Sequence, residues 1–573
     1  MPESNVLDLR HDPVSPAARM PGRTEILIRH LLARLCQNEM LSIDGDMSRA
    51  LQTAWAMALP QLFATLMSFP VYHQPLGAPA RGYWPQAGDH YFFITYALFV
   101  MGAVAVYSWD VLFPDAMDVF VLVPLPLPAR QLLSSRIVAV AIFLAAALVG
   151  TNALGIFFFP LAADQPHIGH HILAHFTAVV FAGTFACTLV LSIQGILLTL
   201  ISERLFQKIT PFLQILGMLI LFTLLSTFPL VVGALQTVLI SSAHWSQWFP
   251  PFWFLGIYQR IMYGSAPPFD VLAMRGIIAT FITAAITCIT YPIAYRRKVR
   301  LVMEGSAATT QRRGIFNTAA DVIIPVVVRN SIQRGVYRFI GQTLWRSRRP
   351  RAMIAIFLSI GLALAFSNLI TINSSGIHFR HDGALVSVAI IAFWLTFGLR
   401  AAFASPVDLR GSWVFRSILG REKSLVLDVQ KHWTVYAVLF ISAALAIAFA
   451  VAGAISITRL LLAVLICTAV AILTTDFYGR HASAIPFTQA MKTTQHERPL
   501  AAARYLLVFP FLMTLEVRWM HMSFGWLSIL LLAMYLLHRY LIRAAEEWRA
   551  NDFDGNLDDS DPDEFPTSLG LRE

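Results

Sequence analysis

The sequence predicts an all-α polytopic membrane protein of about twelve transmembrane helices, built as two fused six-helix halves. Three observations carry this reading. Hydrophobic residues make up 57% of the chain and charged residues 13%, about half the ~25% of soluble proteins. The apolar residues fall in runs long enough to cross a ~30 Å hydrocarbon core. The basic residues gather in the loops beside alternate ends of those runs, as the positive-inside rule requires.

The spans come in two sets. The first set covers residues 51–72, 91–108, 137–161, 172–198, 212–234 and 276–295, and the second covers 353–372, 384–399, 434–455, 460–475, 501–515 and 524–541. With a cytoplasmic N-terminus, all but six of the 43 Lys and Arg residues fall inside; the exceptions are Arg81, Arg260, Arg275, Arg380, Arg459 and Arg518. The eleventh run is short, but removing it would export Arg539, Arg543 and Arg549. Trp84, Trp245, Trp248 and Trp253 fall in outer loops, at the headgroup level that suits tryptophan. Both termini are therefore expected in the cytoplasm.

Charge and composition divide the chain further. Residues 1–50 form a cytoplasmic segment in which Leu27, Ile28, Leu31, Leu32 and Leu35 share one helical face while Arg29 and Arg34 lie off it. That pattern predicts a helix lying on the inner membrane surface. Residues 51–295 are the first membrane half. Residues 296–352 are a basic connector, suited to anionic lipid. Residues 353–543 are the second half, and 544–573 an acidic tail too poor in apolar residues to pack. The net charge of +10 lies in these membrane-flanking positions, so lipid, not nucleic acid, is its expected partner. Cys36, Cys187, Cys288 and Cys467 include no CxxC pair, and no disulfide framework is expected.

Catalytic motifs are missing. There is no G-x-x-x-x-G-K-[ST], G-x-S-x-G or H-E-x-x-H; GREKS at 420–424 lacks the second glycine of a phosphate cradle. No ATPase or hydrolase activity and no cofactor are expected in this chain. HIGHHILAH sets His167, His171 and His175 at i, i+4 and i+8, a weak candidate metal site, because imidazole suits zinc, nickel or copper. The plainer reading is a histidine-rich outer loop.

The pattern breaks most sharply at WDVLFPDAMDVFVLVPLPLPARQ, residues 109–131. Pro114 ends the helix before it and drives Phe113 to extended geometry. Residues 115–123 are then expected to form a short helix with Asp115 at its positive end, and Pro124, Pro126 and Pro128 stiffen the return to the third span. The second half repeats the idea at 403–428, where Pro406 and Asp408 echo Pro114 and Asp118. Trp109 borders the second span and is expected against lipid. Phe120 and Phe415 are candidates for pockets on a protein partner, with Asp115, Asp118, Arg130, Arg416 and Arg421 as charged orienting residues.

These residues carry a resemblance. LFPDAMDVFVLVPLPLPARQLLSSRI, PPFWFLGIYQRIMYGS, TLWRSRRPRAMI, SPVDLRGSWVFR, IPFTQ and SLGL together resemble the permeases of the type 2 exporter superfamily of ABC transporters, most closely a large bacterial permease-like group. The resemblance implies six spans per permease half, a cytoplasmic coupling helix between the second and third, and ATP bound on a separate ABC-type ATPase subunit in two copies. It implies export of an unknown substrate. This chain differs in carrying both halves, and they are unequal: residues 235–275 form a long outer loop whose counterpart, 516–523, is very short. The alternatives are an integral membrane enzyme or lipid-handling protein without an ATPase, or a secondary carrier, which the scarcity of charge within the spans disfavours.

Overall fold

The computed structural model describes residues 22–36, 47–73, 81–163, 167–241, 244–304, 330–373, 376–380, 383–405, 407, 424–453, 456–479, 487, 497–520 and 524–551. In chain order its helices are α1 (Arg23–Cys36), α2 (Met47–Tyr72), α3 (Tyr83–Tyr107), the short α4 (Trp109–Leu112) and α5 (Ala116–Leu122), α6 (Ala129–Ala162), α7 (Ile168–Leu200), α8 (Glu203–Ser226), α9 (Phe228–Ile240), α10 (Pro250–Tyr263) and α11 (Phe269–Met303). There follow α12 (Ser331–Arg346), α13 (Arg348–Leu369), α14 (Gly383–Phe403), α15 (Ser424–Val451), α16 (Ile457–Gly479), α17 (Glu497–Met520) and α18 (Phe524–Asn551).

Ten of these, among the described residues, are long and apolar enough to cross a membrane: α3, α6, α7, α8, α11, α13, α14, α15, α16 and α18. The chain is thus helical and multi-pass in character. The expected first and eleventh spans form the helices α2 and α17 but are not among the ten; Pro60, Gln61 and Pro70 dilute the apolar run of α2. With 34, 33 and 35 residues, α6, α7 and α11 run to about 50 Å at 1.5 Å per residue. Their ends therefore project beyond the hydrocarbon core, where arginine is tolerated.

Three local features depart from the sequence expectation. The fifth span breaks at Thr227, because Pro229 at the start of α9 cannot donate to the turn before it. The seventh ends at Leu369 and passes into an antiparallel hairpin, β1 (Ile370–Asn373) on β2 (Gly376–Phe379), with Ile370 opposite Phe379 and Ile372 opposite Ile377; the β-branched run Ile-Thr-Ile favours that geometry. The long outer loop contains α10. Pro250 and Pro251 open it with a preset φ, and Gly264, at φ 83, ends it. Its side chains Phe252, Phe254, Leu255 and Tyr258 are fully buried.

The contacts divide the chain into two compact units: 1–80, 107–202 and 277–308 in the first, 81–106, 203–276 and 309–573 in the second. In the first unit α2 packs on α6 through buried polar groups: the Gln61 amide donates to Asn152 Oδ1 at 2.8 Å, and the Gly155 N–H donates to Gln61 Oε1 at 3.1 Å. Such hydrogen bonds join helices where apolar lipid offers no hydrophobic drive. α7 meets α11 along a seam of small residues: Thr188 and Thr283 hydroxyls lie 2.8 Å apart, the Thr287 hydroxyl donates to the Thr188 carbonyl at 2.9 Å, and Gly195 admits Thr290. α1 keeps the expected apolar face, but Leu27, Leu31 and Leu35 are buried against protein, chiefly α6, and not spread on the membrane surface. In the second unit α14 is buried along most of its length and packs closely on α13, where Gly361 makes room for Trp394.

Candidate functional site

The break between α3 and α6 is built as the prolines require, and every residue of it described below belongs to the first unit. α4 ends at Phe113, which is extended at φ −105 and ψ 159, and Pro114 has no N–H with which to continue. The carbonyls that a continuous helix would have satisfied are therefore left to side chains. Gln194 of α7 donates to the Trp109 carbonyl at 2.6 Å. Tyr291 of α11 donates through its hydroxyl to the Leu112 carbonyl at 2.7 Å, its ring against that of Phe113. Arg136 of α6 donates to the carbonyls of both Val111 and Phe113. Three long helices thus hold one short stretch of backbone.

α5 starts directly afterwards. Asp115 takes the N-cap place and Asp118 the third helical position. The Asp118 carboxylate reaches back to accept the Asp115 N–H at 3.4 Å, the return half of a capping box. The same carboxylate pairs with Arg34 of α1 at 2.8 Å and Arg136 of α6 at 3.5 Å. Its side chain is only 6% exposed and that of Arg136 only 4%. Asp118 is therefore not a rim charge facing a partner, as its sequence position predicts. It is the internal node that binds α1, α5 and α6, because two arginines distant in sequence neutralise it. The cleft beside it, lined by Leu31, Val119, Leu122 and Tyr295, has a free volume of about 10 Å³, no more than a water's room. It is not a pocket for an organic ligand.

α5 has a second face. Val119 and Leu122 turn inward, while Met117, Phe120 and Val121 are 61%, 60% and 55% exposed. Leu125 continues this apolar strip, and Asp115 and Arg130 are also exposed. Phe120, the residue singled out in the sequence, is thus exposed. Trp109 and Phe113 do not meet lipid: both are buried in protein.

Asp408, Phe415, Arg416 and Arg421 lie outside the described residues. The entry to their segment is described: the Val407 N–H donates to the Phe487 carbonyl at 2.9 Å, and the Phe487 N–H to the Phe403 carbonyl at 3.1 Å. Val407 and Phe487, one from each of two short stretches behind the family resemblance, thus meet there.

The histidine triad does not assemble. His171 and His175 are buried on α7 with their rings 5.7 and 5.6 Å from Phe159. His167 precedes the helix, at φ 71, and is exposed, so helical spacing does not bring it to the same face. Among the described residues no group of three His, Cys, Asp or Glu gathers for a metal ion.

Sequence reasoning missed Arg34, Arg136, Gln194 and Tyr291. Arg136 gave no signal: it stands one residue before the expected third span, behind Arg130, Gln131, Ser134 and Ser135, where an arginine reads as a boundary charge. It also missed a buried carboxylate in the second unit, Asp476, held by Lys431 and His538. Compared with protein-family models, with characterised proteins and with solved structures, the chain finds no match.

Proposed function

We propose that this chain is the membrane-spanning permease component of an ATP-driven transporter of the ABC type, working as an exporter in a bacterial inner membrane, with ATP bound and hydrolysed on a separate ATPase subunit present in two copies. The observation that carries the reading is the two-sided build of α5. Its inner face is tied through Asp118 and Arg136, and the backbone just before it is held by α6, α7 and α11. Its outer face offers Met117, Phe120 and Val121 uncovered. A soluble partner gripping that outer face would move three long helices. The charge distribution that favours cytoplasmic termini supports the same side for α5, the side where ATP is found.

The test uses Met117→Ser combined with Phe120→Ala. Both side chains are exposed, so the membrane level and thermal stability of the variant should equal the parent's. Co-purification of a P-loop ATPase should fall as its affinity drops by about thirtyfold, the equivalent of losing one hot spot of ~2 kcal/mol. Equal recovery of the ATPase with parent and variant, or no P-loop protein with the parent, overturns the reading.

A further inference from the structure

We infer that the cationic outer stripe of α12 is the docking surface for the acidic C-terminal segment of the same chain, residues 552–573. Arg334, Arg338, Gln342 and Arg346 recur at every fourth position of α12, so they follow one side of the helix for about 18 Å. Arg338, Gln342 and Arg346 are exposed, and Arg334 is half-buried. The helix holds no acidic residue of its own. Arg349 and Arg351, at the start of α13, lengthen the positive run.

The opposite face of α12 decides the kind of partner. Val336, Ile340 and Leu344 are buried. α12 packs on α15, with the Tyr337 ring 5.6 Å from that of Trp433. A basic amphipathic helix holds a membrane surface by sinking its apolar face among the lipids while its cations meet the headgroups. α12 already buries that face in protein. What it offers outward is charge, and the matching surface is rich in carboxylates and needs no apolar anchor. Residues 552–573 have that chemistry: eight Asp and Glu against the single Arg572, with seven of the eight in 552–564.

The described helices bring the two within reach, all inside the second unit. Lys431 of α15, two residues before Trp433, and His538 of α18 both pair with Asp476 of α16. At His538, α18 is therefore level with the stretch of α15 on which α12 rests. From there α18 continues to Asn551, about 20 Å further on. The acidic run 552–564 follows directly and can span about 40 Å when extended. A tether this short keeps the local concentration of carboxylates high, so ion pairs that are individually weak in water act together. Docking fastens the end of the second half to the connector. It does not depend on the transport reading.

The experiment is cysteine cross-linking in the full chain, held in phosphatidylcholine nanodiscs. Gln342→Cys marks the middle of the stripe and Ser560→Cys the middle of the acidic run. The background is Cys288→Ser, since Cys36, Cys187 and Cys467 are buried. After oxidation with copper phenanthroline, the linked peptide is quantified by mass spectrometry. The link should form at low salt and weaken at high salt, which screens exposed charges. Adding Arg338→Gln with Arg346→Gln should lower its yield about fivefold, as two exposed pairs are lost. No link at low salt, or a yield unchanged by the arginine substitutions, overturns the inference. So does an equal yield when Ser134→Cys, exposed on α6, replaces Gln342→Cys. A link that disappears when phosphatidylglycerol is added to the nanodiscs assigns the stripe to anionic lipid, and that result overturns the inference as well.

Discussion

Arg136→Met tests whether Asp118 and Arg136 form the node of the α5 anchor. Methionine fills much of the same space without charge or donors. The substitution removes the ion pair to Asp118 and the donors to the Val111 and Phe113 carbonyls. Deleting one partner of a buried pair costs about 3–5 kcal/mol. Asp118 keeps Arg34 and the Asp115 N–H, which favours the lower end. Each carbonyl left without its donor adds about 1 kcal/mol. The expected loss is therefore ~5 kcal/mol, or roughly 10 °C at the ~2 °C per kcal/mol of a large domain. The assay is thermal unfolding of the full chain in detergent, followed by loss of the monodisperse peak. The decisive arm is the double variant Asp118→Leu with Arg136→Met. Removing both charges leaves no orphan between them, so more than half of the loss should return. An unshifted melting point in Arg136→Met would refute the reasoning, and so would a double variant as unstable as the sum of the two single ones.

Two further expectations follow from the first unit. Cys36 closes α1, where burial pushes its thiol up from the ordinary value, so in a Cys288→Ser background its maleimide labelling should be slow at pH 7.5 and quicken as pH rises, since the thiolate is the reactive form. Arg34→Gln removes the partly exposed α1–α5 pair and should raise that rate about fivefold through local opening of α1, the effect of ~1 kcal/mol for a pair screened on one side; an unchanged rate would mean α1 is held by its leucines alone. Gly195→Ala would set a methyl carbon 2.9 Å from Thr290 Cβ and nearer still to its hydroxyl, so it should cost about 1–3 kcal/mol by overpacking. Adding Thr290→Ala should restore part of that in the same melting assay; no loss at Gly195→Ala would show that the α7–α11 seam gives way freely.

The helices were legible because a span is a property of a window. Twenty residues vote together, and one proline or glutamine seldom outweighs them. Where the vote was close the reading weakened: α2 carries Pro60, Gln61 and Pro70. α10 was read as loop because fourteen residues are too few for a span, and nothing local says that Gly256 lets the helix settle on the start of α11. The site divided in the same way. The break at Phe113–Pro114, the short helix and the exposure of Phe120 follow from local stereochemistry and were legible. The fate of Asp118 was not, because a carboxylate in a capping position is compatible with either a rim or a buried node. Arg34 and Arg136 decide between them, and their approach is set by how α1 and α6 pack. The same limit hid Asp476: it stands three residues from the end of its helix, where a charge reads as a boundary, and only the packing of α15 and α18 shows it enclosed.

Docking and anchoring should be separable, because α5 uses different residues for each. The outer strip of Met117, Phe120 and Val121 contributes nothing to the carbonyl ties, and Gln194 and Tyr291 lie on α7 and α11, apart from that strip. Tyr291→Phe removes one hydroxyl and keeps the ring on Phe113; Gln194→Leu removes one amide donor. Each leaves a buried carbonyl short of a partner, about 1–3 kcal/mol of local loosening, while the apolar outer face stays in place. Under the proposed function the pair of substitutions should leave ATPase recovery at the parent level, in contrast to Met117→Ser with Phe120→Ala. It should also increase hydrogen exchange at the amides of residues 109–113, where the backbone is no longer held from both sides. Recovery that falls as far as it does in the outer-face variant would mean that the carbonyl ties shape the docking surface itself, and the division of α5 into a gripped face and an anchored one would have to be abandoned.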